Sequence, residues 1–145
     1  MENIINLGWN KNYYYMKKYA EINFSETPII SVVFTGNHAT KDNFPAYLAE
    51  LTSVYEERKK VVFIFDATNA VVPAIKYQKL QAEWLKKNRE LMVNYCLGTV
   101  YIVPNILIRF VLKAIFTFQR QPVDYVIYNS AEEAYKYANS KITLL

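Results

Sequence analysis

Five consecutive apolar residues, Val61-Val62-Phe63-Ile64-Phe65, stand between the charged run Glu56-Glu57-Arg58-Lys59-Lys60 and the polar break Asp66-Ala67-Thr68-Asn69. Helical periodicity flanks them on both sides. A short run of β-formers without polar alternation is the pattern of a strand buried on both faces of a parallel sheet. Such a strand needs cover on each face, and the surrounding elements can be arranged around it as an α/β domain.

Upstream, Ala20, Ile22 and Phe24 alternate with Glu21, Asn23 and Ser25, which predicts a half-exposed strand from Tyr19. Glu26-Thr27-Pro28 turns the chain into a second, more buried strand, Ile29 to Thr35, ending at Gly36, and the two strands pair as a hairpin. Thr40, Asp42 or Asn43 can cap the following helix, with Pro45 in its first turn, where a missing N–H costs nothing. Phe44, Tyr47, Leu48, Leu51, Val54 and Tyr55 recur at helical spacing, and the helix is expected to end near Glu57–Lys59.

Beyond the central strand, Pro73 marks the start of a helix that runs to about Tyr95. Tyr77, Leu80, Trp84, Leu91 and Tyr95 form its stripe, and Asn88 interrupts it, the mark of two shorter helices. The strand Thr99–Val103, the apolar helix Ile106–Arg120, the strand Val123–Tyr128 and a closing helix complete the chain. Ser130-Ala131-Glu132-Glu133 is a capping box for that last helix. The order is β-β-α-β-α-β-α-β-α: one α/β domain over residues 19–145, with a mostly parallel sheet and an antiparallel first strand. Residues 1–18 form an aromatic and basic arm that includes Tyr13, Tyr14 and Tyr15.

Several of these features together resemble the STAS, or SpoIIAA-like, family, named for a bacterial anti-anti-sigma factor. The resemblance spans residues 19–142. It rests on the opening hairpin, on Val61-Val62-Phe63-Ile64-Phe65-Asp66 as central strand, and on Gly98-Thr99-Val100-Tyr101-Ile102-Val103 before the short apolar helix. Ser130-Ala131-Glu132-Glu133-Ala134-Tyr135 adds a junction like the family's closing x-x-E-E-A turn. The resemblance implies a small regulatory or interaction module without a cofactor, whose relatives bind protein partners and in some cases nucleotides or lipophilic ligands. One departure matters. The sigma-regulator branch carries a phosphoacceptor serine in an Asp-Ser-x-Gly turn, where this chain reads Val71-Val72-Pro73-Ala74-Ile75. Thr68 is the nearest hydroxyl and lies too early in the turn, so the phosphorylation switch is not expected to carry over.

The helix Ile106–Arg120 is the least ordinary element. Ten of the thirteen residues Ile106–Phe118 are apolar, and Arg109, Lys113 and Thr117 continue to Arg120 as one narrow polar stripe. A helix laid on a sheet needs about a third of its circumference apolar, so the surplus must meet something. A second layer of core is the plain outcome. The alternatives are a homodimer or other protein interface formed by Arg109, Phe110, Lys113, Phe116, Phe118 and Arg120, or a lipophilic ligand or anionic membrane surface. A membrane span over Leu97–Phe118 is disfavoured by Arg109, Lys113 and the Pro104-Asn105 break.

Residues 73–120 hold eight basic residues against two acidic ones, so the middle third carries the positive charge of a chain whose net charge is +4. Solvated helix faces account for such a pattern, and an anionic partner is the sharper reading. Nucleic acid is not expected, since a pI of 9.0 is marginal and no recognised motif is present.

In open α/β sheets ligands favour the carboxyl ends of the strands. Those ends supply Asn37, His38, Asp66, Thr68, Asn69 and Asn105, with His38 and Asp66 as a conceivable acid–base pair. The plainer reading is that these side chains satisfy turn backbone groups. No nucleophile has a positioned base, no glycine-rich loop cradles phosphate, and one histidine and one cysteine do not make a metal site. No cofactor is expected. With a lone cysteine, Cys96, and no signal-peptide order at Met1-Glu2-Asn3-Ile4, the chain reads as cytoplasmic and non-enzymatic.

Overall fold

The computed structural model describes residues 17–143. β1 (Ala20–Asn23) and β2 (Ile29–Phe34) form the hairpin, and α1 (Asn43–Ser53) with a 3₁₀ segment (Val54–Glu57) leads to β3 (Val61–Asp66). Then come α2 (Ile75–Lys87), α3 (Arg89–Tyr95), β4 (Cys96–Ile102), α4 (Ile106–Phe118), β5 (Tyr125–Tyr128) and α5 (Ala131–Ile142). The sheet order is β1-β2-β3-β4-β5, antiparallel at β1/β2 and parallel elsewhere. The expected single α/β domain and element order are therefore present. The arm at 1–18, except Lys17 and Lys18, lies outside the described residues, as does Trp9.

The strand order fixes the layering. Each parallel crossover steps in the same direction, and right-handed connections that never reverse place their helices on one face. α1, α2, α3 and α4 accordingly pack on one side, over Ile30, Val32, Val61, Phe63, Phe65 and Tyr101. Only α5 turns back to the other side, where Ala134 and Ala138 meet Val62, Ile64, Val100 and Ile102. β3 is buried by both layers, as its unbroken apolar run requires. Each such Val, Ile or Phe contributes about 1.5–3 kcal/mol on leaving water.

Local chemistry sets the ends. Thr40 Oγ1 accepts from the Asn43 amide at 3.0 Å while Asn43 Oδ1 accepts from the Thr40 amide at 2.7 Å, a reciprocal cap for α1. Asn43 is buried, and its Nδ2 donates to the carbonyls of Lys17 and His38, each at 2.9 Å. α1 stops at Ser53 rather than near Glu57–Lys59, because the 3₁₀ segment tightens the chain before Arg58 takes a left-handed conformation at φ 52°. The break at Asn88 is where the sequence puts it: α2 ends and α3 begins around that residue, whose Nδ2 donates to the Trp84 carbonyl at 2.9 Å.

Two elements differ from expectation. α2 buries Tyr77, Gln78, Ala82 and Leu85, whereas Leu80 is exposed, so the helix is turned from the stripe read in sequence. β4 begins at Cys96 rather than Thr99, with a register shift opposite Val61/Val62. Gly98 fits within that strand because the Tyr137 hydroxyl lies over it, 2.9 Å from where a Cβ would stand. At the start of α5, Ser130 Oγ accepts from the Glu133 amide at 3.4 Å, one half of the expected capping box.

Candidate functional site: an aromatic cavity under α4

Strand alternation sends Phe34, Phe63, Phe65, Thr99 and Tyr101 to the helical face. Four rings lie nearly parallel there. Phe65 is 5.0 Å from Tyr101 at 15°, 5.5 Å from Phe63 at 15°, and 6.2 Å from Phe34 at 18°. The rings stack against one another along the sheet. A cavity of about 90 Å³ remains between this stack and α1, α2 and α4. That is several times the room a water needs. Its walls include Tyr47, Tyr77, Leu85, Ile108, Leu112 and Ile115, and among the described residues no charged side chain lines it.

Few polar groups reach this space. Gln121, just past α4, is buried, and its Nε2 donates to Thr99 Oγ1 at 2.8 Å and to the Tyr101 hydroxyl at 3.3 Å. Among the described residues its Oε1 has no hydrogen-bond partner, and the Tyr55 hydroxyl, also at the cavity wall, has only the Cys96 thiol beside it. On the far side, Gln78 Nε2 donates to the Pro73 carbonyl at 2.9 Å.

Burial governs the ionisation of these groups. It pushes the Tyr47, Tyr55 and Tyr101 phenols far above their ordinary value and Tyr19 to about 12. The Cys96 thiol, whose Sγ donates to the Gly98 carbonyl at 3.4 Å, rises to about 11, again chiefly from burial. Cys96 and Tyr101 add their fields at Tyr55, and Cys96 does the same at Tyr101. One end of the cavity thus presents neutral hydroxyls and one amide, which can form hydrogen bonds but supply neither a base nor a charge.

The strand-end residues named from sequence are elsewhere or otherwise engaged. Asp66 continues the Val62–Ile64 side of β3, on the α5 face, and its Oδ1 accepts from the Thr68 amide at 3.0 Å and hydroxyl at 2.6 Å. Asn37 Nδ2 donates to the Lys18 carbonyl at 2.9 Å, and Asn105 Oδ1 accepts from the Leu107 amide at 2.8 Å, capping α4. His38 and Asn69 are exposed. Among the described residues no hydrogen bond joins His38 to Asp66, and none of these six lines the cavity. Asn37, Asp66, Thr68 and Asn105 serve turns and caps.

The helix surface named from sequence divides in two. Phe110 and Phe118 are exposed, together with Ile106 and Leu107, and Lys113 and Arg120 reach solvent. Phe116 instead faces inward, its ring 6.0 Å from Tyr101 and 4.8 Å from Tyr125. Including it in an outward surface is corrected accordingly. Arg109 is half-buried, and its guanidinium donates to Val103 and Asn129. Among the described residues no helix is long and apolar enough to cross a membrane, and no three His, Cys, Asp or Glu side chains gather as a metal site.

The sequence pattern missed Gln121, Tyr55, Thr99 and Tyr101 as one polar cluster. Gln121 falls only in the break between the helix Ile106–Arg120 and the strand Val123–Tyr128. A polar residue between an apolar helix and an apolar strand was the available signal. No family model matches the chain, and no curated protein is significantly similar to it.

Proposed function

We propose that this protein binds a small, largely apolar molecule in the cavity beneath α4. The observation that carries this reading is a cavity of about 90 Å³ walled by aromatic and aliphatic side chains, without a charged one among the described residues. Concave, mostly apolar space with a few convergent polar groups is the usual form of a ligand site. No titratable group in the wall is poised for proton transfer, so the reading is one of binding. Pressurising crystals with xenon tests it. Xenon density among Phe65, Tyr101 and Ile108 is expected, because dry apolar cavities take up the gas. A cavity that admits no xenon removes the reading.

A second reading is a STAS-like regulatory module that docks a protein partner or a second copy of itself through the outer face of α4. The exposure of Ile106, Leu107, Phe110 and Phe118 on one short helix favours it. Lys113 and Arg120 beside them would suit an anionic surface, including that of a membrane. Conversion of a dimer to a monomer by Phe110→Glu would support the protein-docking form, and an unchanged mass in sedimentation would remove it. Both readings take the protein to be cytoplasmic, in keeping with a single thiol held unpaired at Cys96.

A further inference from the structure

The polar end of the cavity restricts what it holds, an inference that rests on the binding reading above. Gln121 and Tyr55 are 8% and 2% exposed; among the described residues Gln121 Oε1 has no partner at the cavity wall, and the Tyr55 hydroxyl has only the weakly bonding Cys96 thiol beside it. Leaving such groups unmatched costs about 1–3 kcal/mol each, so a ligand that satisfies them gains over one that only fills volume. Among the described residues, three features of the wall narrow the choice. It has no Lys, Arg or His, so a carboxylate or phosphate entering it would lose its hydration without a counter-charge. It has no Asp or Glu, so an ammonium is equally unmatched. The two free groups are an amide and a phenol held neutral by burial, and the partner that suits both is a group able to donate and accept.

We propose that the ligand is a neutral alcohol or phenol, its apolar body against the stacked Phe65 and Tyr101 rings and its hydroxyl paired with the Gln121 amide and the Tyr55 hydroxyl. A hydroxyl donates to an amide oxygen or accepts from an amide nitrogen, so the match holds for either orientation of the Gln121 side chain. The same geometry explains the unevenness of the site. Gln121 is already fixed by Thr99 and Tyr101, which leaves its remaining polar atom positioned in advance rather than searching among rotamers.

Benzene, phenol and benzoate, titrated into the full-length ¹⁵N-labelled protein at neutral pH, separate the elements of this proposal. Side-chain amide resonances and cavity-lining amides report occupancy. Phenol is expected to bind roughly tenfold tighter than benzene, the equivalent of one net hydrogen bond, and to shift the Gln121 side-chain signals, while benzoate does not bind. Gln121→Met should abolish the advantage of phenol and leave benzene binding intact. Tyr55→Phe, which removes only a weak contact with the Cys96 thiol, should reduce that advantage and serves if the first variant does not fold. Benzene and phenol binding equally would overturn the hydroxyl assignment while leaving the cavity reading intact, as would tighter binding of benzoate. Failure of all three to bind would overturn both.

Discussion

The Nε of Arg109 donates to the carbonyl oxygen of Val103 at 2.9 Å, and its Nη2 donates to Asn129 Oδ1. One side chain on α4 thereby ties the end of β4 to the loop after β5. Arg109 consequently differs in kind from Lys113, its neighbour one turn on, which is exposed. Lysine cannot reproduce a planar two-pronged donor. Arg109→Lys is expected to lower stability by about 1–2 kcal/mol in urea denaturation, whereas Lys113→Ala should stay within about 0.5 kcal/mol. Equal effects would show that the tie contributes nothing.

Tyr55→Phe deletes a buried hydroxyl whose only neighbour for pairing among the described residues is the weakly bonding Cys96 thiol. The purified variant should be as stable as the parent or more stable by up to about 1 kcal/mol, since an unsatisfied polar group leaves the core. A loss of more than that in the denaturation midpoint would mean the hydroxyl is held by a group within the fold.

Phe110 and Phe116 lie six residues apart on α4 but face opposite ways. Phe116→Glu buries a charge against Tyr101 and Tyr125, and a loss of at least about 3 kcal/mol or outright unfolding is expected. Phe110→Glu replaces a ring that is 60% exposed, and the thermal midpoint should barely move. A large loss at Phe110 would place that residue in a buried contact.

The Cys96 thiol rises from an ordinary 9.0 to about 11, and Tyr19 from 10.0 to about 12, both chiefly through burial. Each group keeps its proton longer in the folded protein than in the unfolded chain. Their stabilisation is therefore complete below pH 9 and drains away as pH rises, from 9 to about 11 for Cys96 and from 10 to about 12 for Tyr19. Each contributes up to about 2–3 kcal/mol over its window. In a pH series of urea midpoints, Cys96→Ala should flatten the first part of the decline. The same burial should keep the thiol from iodoacetamide at neutral pH until the protein unfolds.

Much of the fold was legible because burial on both faces leaves a plain mark. Val61–Phe65 has no polar residue and could only be a central strand, and Asn88 broke a stripe just where the helix divides. The cavity was not legible, and the reason lies in particular residues. The hydrophobic stripe Tyr77-Leu80-Trp84 suggested one orientation of α2. In the fold, Gln78 and Gln81 turn toward the cavity and Leu80 turns to solvent, and polar residues that face inward are invisible to an apolar count. Asn37, Asp66, Thr68 and Asn105 stood out in the sequence because turns and caps select the same short polar side chains that binding sites do. The rings of Phe63, Phe65 and Tyr101 read only as strand formers, since nothing in a sequence says whether helices will close down on them.

Four helices cover one face of the sheet and α5 alone covers the other, with only the strands shared between the two apolar clusters. This asymmetry bears on how the molecule opens. Detaching α5 breaks its contacts with β3, β4 and β5 yet leaves the larger layer and every strand pair in place, so it is a natural unit of partial unfolding. In native-state hydrogen exchange, α5 amides should exchange through that limited event, well ahead of those in β3. The central strand, hydrogen-bonded to β2 and β4 whether or not α5 is docked, should exchange only when the whole domain comes apart.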